Sequence, residues 1–96
     1  MIKYTLVYHP NVKKADLPPI PANLRDRIKR TIENRILKDP VKFGLPLRKS
    51  LKGYRKTRVG DYRIIYRLKG NTIFILKIGH RKEVYTQSSK RVFSRN

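Results

Sequence analysis

Three strand-like segments separated by very short turns occupy residues 54–78, and they constrain the fold more than any other feature of the sequence. The segments are Tyr54–Val59, Tyr62–Leu68 and Thr72–Ile78, with turns at Gly60-Asp61 and Lys69-Gly70-Asn71. Turns of two or three residues join antiparallel neighbours, so these segments predict two consecutive hairpins. The third segment is apolar on both faces except for Lys77, which places it inside a sheet.

The first half of the chain supplies one strand and two helices. Residues 2–8 alternate between two sets of side chains, which predicts a half-buried strand. An amphipathic helix is predicted over Leu24–Lys38, with Asn23 as its N-cap, because apolar residues recur there at every fourth position. The other predicted elements are a short helix at Val12–Leu17, a loop at 40–53 and a short terminal helix around Lys90–Phe93.

The order β-α-α-β-β-β predicts a single α+β domain over residues 1–96. We expect the two helices to pack on one face of a mainly antiparallel four-stranded sheet, with the short helix at the C-terminus. The opposite face of the sheet is then free to meet a partner.

Charge indicates what kind of partner this is. The 96 residues contain 25 Lys and Arg against 6 Asp and Glu, a formal net charge of +19. Such an excess destabilises the folded chain by self-repulsion, and its usual reason is a polyanionic partner. Nucleic acid is the first candidate and an acidic protein is the second.

Several classes of chemistry are excluded by the residue types. The chain has no Cys and only two His, and its acidic residues are scattered, which argues against thiol, metal-dependent and paired-carboxylate catalysis. We therefore expect neither a metal nor another cofactor. No apolar run is long enough to cross a bilayer and no signal-peptide pattern opens the chain, so we expect a cytoplasmic protein without a membrane partner.

Basic residues crowd the first hairpin and its approach. Tyr54, Lys56 and Arg58 share one face of a strand by period two, a mixture of cations and an aromatic ring that suits RNA. Solvated charges that keep an edge strand from aggregating are the alternative; the density of cations favours nucleic acid. The expected contacts to RNA are Arg48, Lys49, Lys52, Arg55, Arg67 and Lys82.

Two blocks of sequence resemble a known family. Residues 51–67 read LKGYRKTRVGDYRIIYR and residues 78–85 read IGHRKEVY. In this order and spacing they are similar to the RelE branch of the RelE/ParE superfamily of toxin–antitoxin toxins. The resemblance implies a ribosome-dependent endoribonuclease that cuts mRNA in the A site and is held inactive by an antitoxin. ParE-like relatives instead poison DNA gyrase and lack the catalytic residues.

Metal-free RNA cleavage needs a base for the 2′-hydroxyl, positive charge for the phosphorane and a proton donor for the departing 5′-oxygen. Neighbouring arginine side chains disfavour the protonated form of a lysine, which makes Lys56 the base candidate with Arg58 as a charge stabiliser. Which of Arg55, Lys56 and Arg58 carries the base role is left open.

The resemblance supplies the other roles. It implies that Arg63 binds the scissile phosphate and that Arg81 is a proton donor or stabilises the leaving group. Tyr85 would stack on the substrate nucleotide or orient it. His80 is a further acid–base candidate, since histidine exchanges protons near neutral pH, and a packed or solvated histidine is the alternative.

Two other functions remain open from the sequence, a ParE-like gyrase inhibitor without nuclease activity and a non-catalytic basic RNA-binding module. For the toxin reading, we expect an acidic, largely helical antitoxin. It would cover the basic residues or displace the segment from Tyr85 to Asn96.

Overall fold

The computed structural model describes residues 2–93, and its sheet is built around the two predicted hairpins. The strands β3, β4 and β5 span Tyr54–Val59, Tyr62–Lys69 and Thr72–His80 and pair antiparallel in sequence order. Gly60 and Gly70 lie in the two turns with φ of 58° and 59°, a left-handed conformation that glycine adopts without steric cost. Both hairpins are therefore confirmed.

Two shorter strands complete the sheet, whose order is β1-β5-β4-β3-β2. The strand β1 (Thr5–Tyr8) pairs parallel with β5, and β2 (Leu45–Pro46) pairs antiparallel with β3. The α+β class and the interior position of β5 are confirmed, whereas the prediction of four strands was wrong. The fifth strand was missed because two residues ending in proline carry no alternation to read.

Helices of the first half pack on one face of the sheet. A five-residue π-helical segment spans Val12–Asp16, and the helix α1 spans Ala22–Thr31 and continues as a π-helical segment over Ile32–Ile36. The N-cap position is Pro21, so the prediction of Asn23 was wrong by two residues. The apolar cluster on this face comprises Val12, Ile20, Ile28, Ile32, Ile36, Val59, Ile64, Tyr66, Ile73, Ile75 and Ile78.

The opposite face of the sheet is covered in part, contrary to expectation. The C-terminal helix α2 spans Val84–Phe93, six residues longer at its start than the predicted Lys90–Phe93. Val84 is fully buried there, packed in a second cluster with Leu51, Ile65 and Leu76. The pairing of β4 with β5 shifts its register between Ile65 and Tyr66, and Ile65 belongs to this second cluster.

The connection from α1 to β3 is held by side chains of the sheet. The hydroxyl of Tyr66 donates to the carbonyl of Pro40 at 2.6 Å, and Thr57 Oγ1 donates to that of Phe43 at 2.7 Å. Gly44 is buried against Tyr66, and a Cβ at this position would overlap the Tyr66 hydroxyl. The segment that the sequence indicated as a loop is thus closely fitted to the sheet.

Candidate functional site

The central strands present a row of cations on the face that carries α2. Lys56 and Arg58 alternate along β3 with the buried Thr57 and Val59, which point to the α1 face. Arg58 lies directly opposite Arg63 of β4. We call the surface formed by Lys56, Arg58, Arg63, Arg81 and Tyr85 the basic face.

Arg63 lies at the centre of the basic face and is half-buried. Its neighbour on β5 is Gly79, which has no side chain to cover it. One guanidinium nitrogen, Nη1, donates to the carbonyls of Gly60 and Tyr62 at 2.9 Å each. Within residues 2–93, Nη2 and Nε have no hydrogen-bond partner, so they are available to a bound anion.

Tyr85 belongs to the first turn of α2 and lies against Lys56. The Lys56 Nζ atom is 5.4 Å from the centroid of the Tyr85 ring, within the range of a cation–π contact. Gly79 favours this arrangement, because a Cβ there would lie 3.3 Å from Val84, which is tighter than an ordinary van der Waals contact. The base candidate and the stacking candidate are therefore neighbours.

Arg81 follows the end of β5 and reaches the β3–β4 turn. Its backbone N–H donates to the carbonyl of Asp61 at 2.8 Å, and its Nε lies 3.7 Å from Asp61 Oδ1. Both side chains are mostly exposed, 55% for Arg81 and 70% for Asp61, so this ion pair is weak and easily exchanged for another anion.

His80 lies on the other face of the sheet from Arg63. It is opposite Tyr62, whose ring it meets edge-on at 5.7 Å, and its Nδ1 accepts from the backbone N–H of Lys82 at 3.2 Å. Because alternate residues of a strand point to opposite faces, the structure does not bring His80 to the basic face.

The six cations predicted to contact RNA divide into three groups. The first group is exposed outside the strands, with Lys49 in a short 3-10 helix over Lys49–Leu51, and comprises Arg48, Lys49, Lys52 and Lys82. Arg67 is exposed beside the ring of Tyr54, 5.9 Å from its centroid. Arg55 points to the α1 face, where its Nη2 donates to the carbonyls of Val41 and Gly44 at 2.8 Å each, so its side chain does not belong to the basic face.

A buried ion cluster that sequence reasoning missed fixes α2. The carboxylate of Asp16, 1% exposed, accepts from Lys77 Nζ at 2.9 Å and from the Ile78 backbone N–H at 3.0 Å. Arg91 of α2 donates to both carboxylate oxygens, at 2.8 and 3.1 Å, and to the carbonyl of Leu76 at 2.9 Å. The lone lysine of an otherwise apolar strand was the available signal, since a buried cation requires a counter-ion.

Buried surroundings also shift the pKa of a histidine near this cluster. Burial, and then repulsion from Arg91 and Lys77, lower the pKa of His9, while Asp16 opposes them. His9 is therefore held mainly in its neutral form at neutral pH.

Among the described residues, no group of three or more His, Cys, Asp or Glu side chains could hold a metal ion. No helix within residues 2–93 is long and apolar enough to span a membrane.

Comparison with known proteins identifies the family. The family model for the ParE toxin of type II toxin-antitoxin system, parDE, matches residues 3–85. Toxin RelG of Mycobacterium tuberculosis is 29% identical over 84 residues, covering 85% of this chain and 95% of RelG. Toxin RelE3 of Methanocaldococcus jannaschii is 36% identical over 73 residues, covering 73% of this chain and 83% of RelE3.

A solved structure agrees with these relatives. One chain of the crystal structure of the toxin–antitoxin complex RelBE2 from Mycobacterium tuberculosis has a TM-score of 0.75 and 28% identity, covering 83% of this chain and 100% of that chain. The expected family is confirmed: the chain belongs to the RelE/ParE superfamily of toxins of type II toxin–antitoxin systems, and the relatives it matches are RelE-type toxins.

Proposed function

We propose that this protein is a ribosome-dependent endoribonuclease that cleaves mRNA in the A site and thereby inhibits translation. The observation that carries the proposal is the convergence of Lys56, Arg63 and Tyr85 on one face of the sheet. Lys56 Nζ lies 5.4 Å from the Tyr85 ring centroid, and Arg63 presents guanidinium nitrogens that have no partner within residues 2–93. The cytoplasm, where ribosomes are found, is the proposed location.

In this proposal the 2′-hydroxyl of one nucleotide attacks the adjacent phosphorus, and the 5′-oxygen of the next nucleotide departs. We assign Lys56 to remove the proton from the attacking hydroxyl. The Tyr85 ring stacks on a base and fixes the nucleotide relative to Lys56, since a stacked base contributes about 1–3 kcal/mol of binding. No metal is required at any step.

Arginine side chains stabilise the charge that develops. Arg63 binds the non-bridging phosphate oxygens through Nη2 and Nε, and Arg58, opposite it in the sheet, adds a second positive charge. An arginine retains its proton in proteins, so we assign Arg81 to stabilise the departing 5′-oxygen, which takes up a proton from water. In this step Arg81 leaves its exposed contact with Asp61 and binds the substrate instead.

The partner that we propose is an acidic antitoxin, since the matched structure of RelBE2 is a toxin–antitoxin complex. Carboxylates laid over the basic face would relieve the repulsion of a chain with net charge +19. Displacement of the segment from Tyr85 to Asn96 would have the same inhibitory effect by separating Tyr85 from Lys56. Residues 94–96 of this segment lie outside the described part of the chain.

Single substitutions in a coupled translation reaction test the assignment. We expect Lys56→Met and Arg63→Ala to lower the cleavage rate by about 100-fold or more, which is typical for loss of a general base or of an oxyanion stabiliser. Lys38→Gln removes one exposed charge outside the basic face and serves as the matched control, with an unchanged rate. Folded Lys56 and Arg63 variants with full activity would contradict the assignment.

A gyrase supercoiling assay with the same proteins separates the alternative that the sequence left open. The proposal predicts no inhibition of supercoiling at toxin concentrations that stop translation. Inhibition of gyrase together with intact translated mRNA would instead identify a ParE-like inhibitor.

A further inference from the structure

A second group of arginines lies beside the β3–β4 turn, and the proposed reaction uses only one of them. These side chains line a pocket of about 560 Å³ between α1 with its continuation and the end of β3. We call it the arginine pocket. Its four arginines are Arg27, Arg30, Arg35 and Arg58.

Helix spacing and an open sheet edge bring these residues together. Positions 27, 30, 34 and 35 recur at intervals that share one side of a helix, beside the buried stripe of Ile28, Ile32 and Ile36. On the sheet side, β2 pairs only with Arg55 and Lys56, so in the part of the chain that the structure describes the edge of β3 beyond them has no neighbouring strand. Arg58 lines the pocket at this open edge.

Within residues 2–93, none of the four guanidinium groups has an ion-pair partner, and no acidic side chain lines the pocket. Four like charges around one cavity repel one another, and the folded chain has nothing there to offset this repulsion. Planar guanidinium groups with unoccupied donors match the oxygens of a phosphate group. The pocket therefore has the chemistry of a phosphate site.

The arginine pocket is continuous with the basic face. Arg58 lines the pocket and is also opposite Arg63 in the sheet. Gly60 separates the two surfaces: its carbonyl accepts from Arg63, and a Cβ added to it would lie 3.7 Å from Arg27 Nη1. A strand of nucleic acid bound at Arg63 can thus pass the turn and meet a second set of cations.

We propose that the arginine pocket binds consecutive backbone phosphates of the RNA that occupies the basic face, some nucleotides away from the cleaved bond. This inference rests on the proposed function for the choice of RNA as the polyanion. An acidic helix fits the pocket less well, because a helix docks through apolar anchors and, among the described residues that line the pocket, the one large apolar side chain, Val59, is 4% exposed.

The test compares two triple variants of the full chain that remove equal charge. R27Q/R30Q/R35Q alters the pocket, and K14Q/K29Q/K38Q removes three exposed lysines outside both the pocket and the basic face. The probes are single-stranded RNAs of four and twelve nucleotides with 2′-O-methyl groups, which cannot be cleaved by 2′-hydroxyl attack. Dissociation constants are measured as a function of salt concentration.

The salt slope is the magnitude of the slope of the logarithm of the association constant against the logarithm of the salt concentration. For the longer probe, the pocket variant should lower this slope by about 2, because each phosphate contact with single-stranded nucleic acid contributes about 0.7. This corresponds to roughly 10- to 100-fold weaker binding near 0.1 M salt. The shorter probe and the lysine variant should change little. R30Q alone should lower the slope by about 0.7, and it provides the test if the triple variant does not fold.

Equal losses for the two triple variants would overturn the proposal, because the effect would then be one of overall charge. Unchanged RNA binding with weakened antitoxin binding would overturn it in favour of a protein contact. Cleavage of translated mRNA by the unaltered toxin is measured alongside. A reduced slope for the pocket variant without cleavage by the unaltered toxin would refute the proposed function and support RNA binding by the pocket. Cleavage by the unaltered toxin with an unchanged slope for the pocket variant would refute only RNA binding by the pocket.

Discussion

Replacing Asp16 by Asn should destabilise the fold by about 3–5 kcal/mol, the usual cost of removing one partner from a buried ion pair. The carboxylate is 1% exposed, and its two cations, Lys77 and Arg91, are 10% and 13% exposed. Asparagine would leave both cations without a counter-charge and would present an amide where the Ile78 N–H now donates. Small domains have about 5–15 kcal/mol of total stability, so the loss is a large fraction.

Urea denaturation followed by circular dichroism measures this loss directly. Asp61→Asn is the matched control, because its carboxylate is 70% exposed and its removal should change the stability by no more than about 0.5 kcal/mol. Arg91→Met is a milder test, since Asp16 keeps its bonds to Lys77 and Ile78. We expect about 1.5–3 kcal/mol there, the value for hydrogen bonds to charged groups.

Hydrogen exchange separates local from global effects of Arg91→Met. Amides of α2 should exchange faster while those of β4 remain protected, because Arg91 joins α2 to Asp16 and to the carbonyl of Leu76. A change of less than about 1 kcal/mol in Asp16→Asn would refute the reasoning that this cluster holds the helix in place.

Three further predictions concern the packing and the titratable groups of the fold. Gly44→Ala should destabilise the protein by about 1–3 kcal/mol in urea denaturation, because its Cβ would overlap the Tyr66 hydroxyl; an unchanged stability would contradict this close packing. Burial raises the pKa of Tyr66, so the contribution of this shift to the free energy of unfolding is present below about pH 10 and is lost as the pH rises towards the folded-state pKa. The melting temperature should therefore fall less between pH 9 and 11 in Tyr66→Phe than in the unaltered protein, and equal falls would count against it. Burial and the positive charges of Arg91 and Lys77 lower the pKa of His9. The contribution of this shift to the free energy of unfolding is therefore present above about pH 6.5 and is lost as the pH falls towards the folded-state pKa. His9→Gln should accordingly show a smaller fall in melting temperature between pH 7 and 5, and an identical pH profile would exclude this role.

The hairpins and the face that carries the basic residues could be predicted because local sequence determines them. Gly60 and Gly70 permit the turns, and alternation along β3 assigns Lys56 and Arg58 to one side of the sheet. The same period-two rule, applied across the register of Tyr62 and His80, would have placed His80 on the opposite face.

Contacts between residues far apart in the chain could not be predicted in this way. Asp16 and Arg91 are 75 positions apart, and nothing in either neighbourhood indicates that they meet. In the sequence Arg55 does not differ from the other cations of the hairpin. Its distinct position depends on the 40–44 segment, whose carbonyls accept hydrogen bonds from its guanidinium. The length of α2 was also hidden, because its first turn is held by packing of Val84 against the sheet rather than by a strong helix-forming sequence.

Primer extension on one mRNA, with and without ribosomes translating it, tests the central claim most directly. The account predicts new 3′ ends within the coding region when the unaltered toxin is added to the translating reaction. It predicts no such ends on free mRNA, with Arg63→Ala, or after the cognate antitoxin is added. Intact translated mRNA in the presence of folded, unaltered toxin would contradict the account.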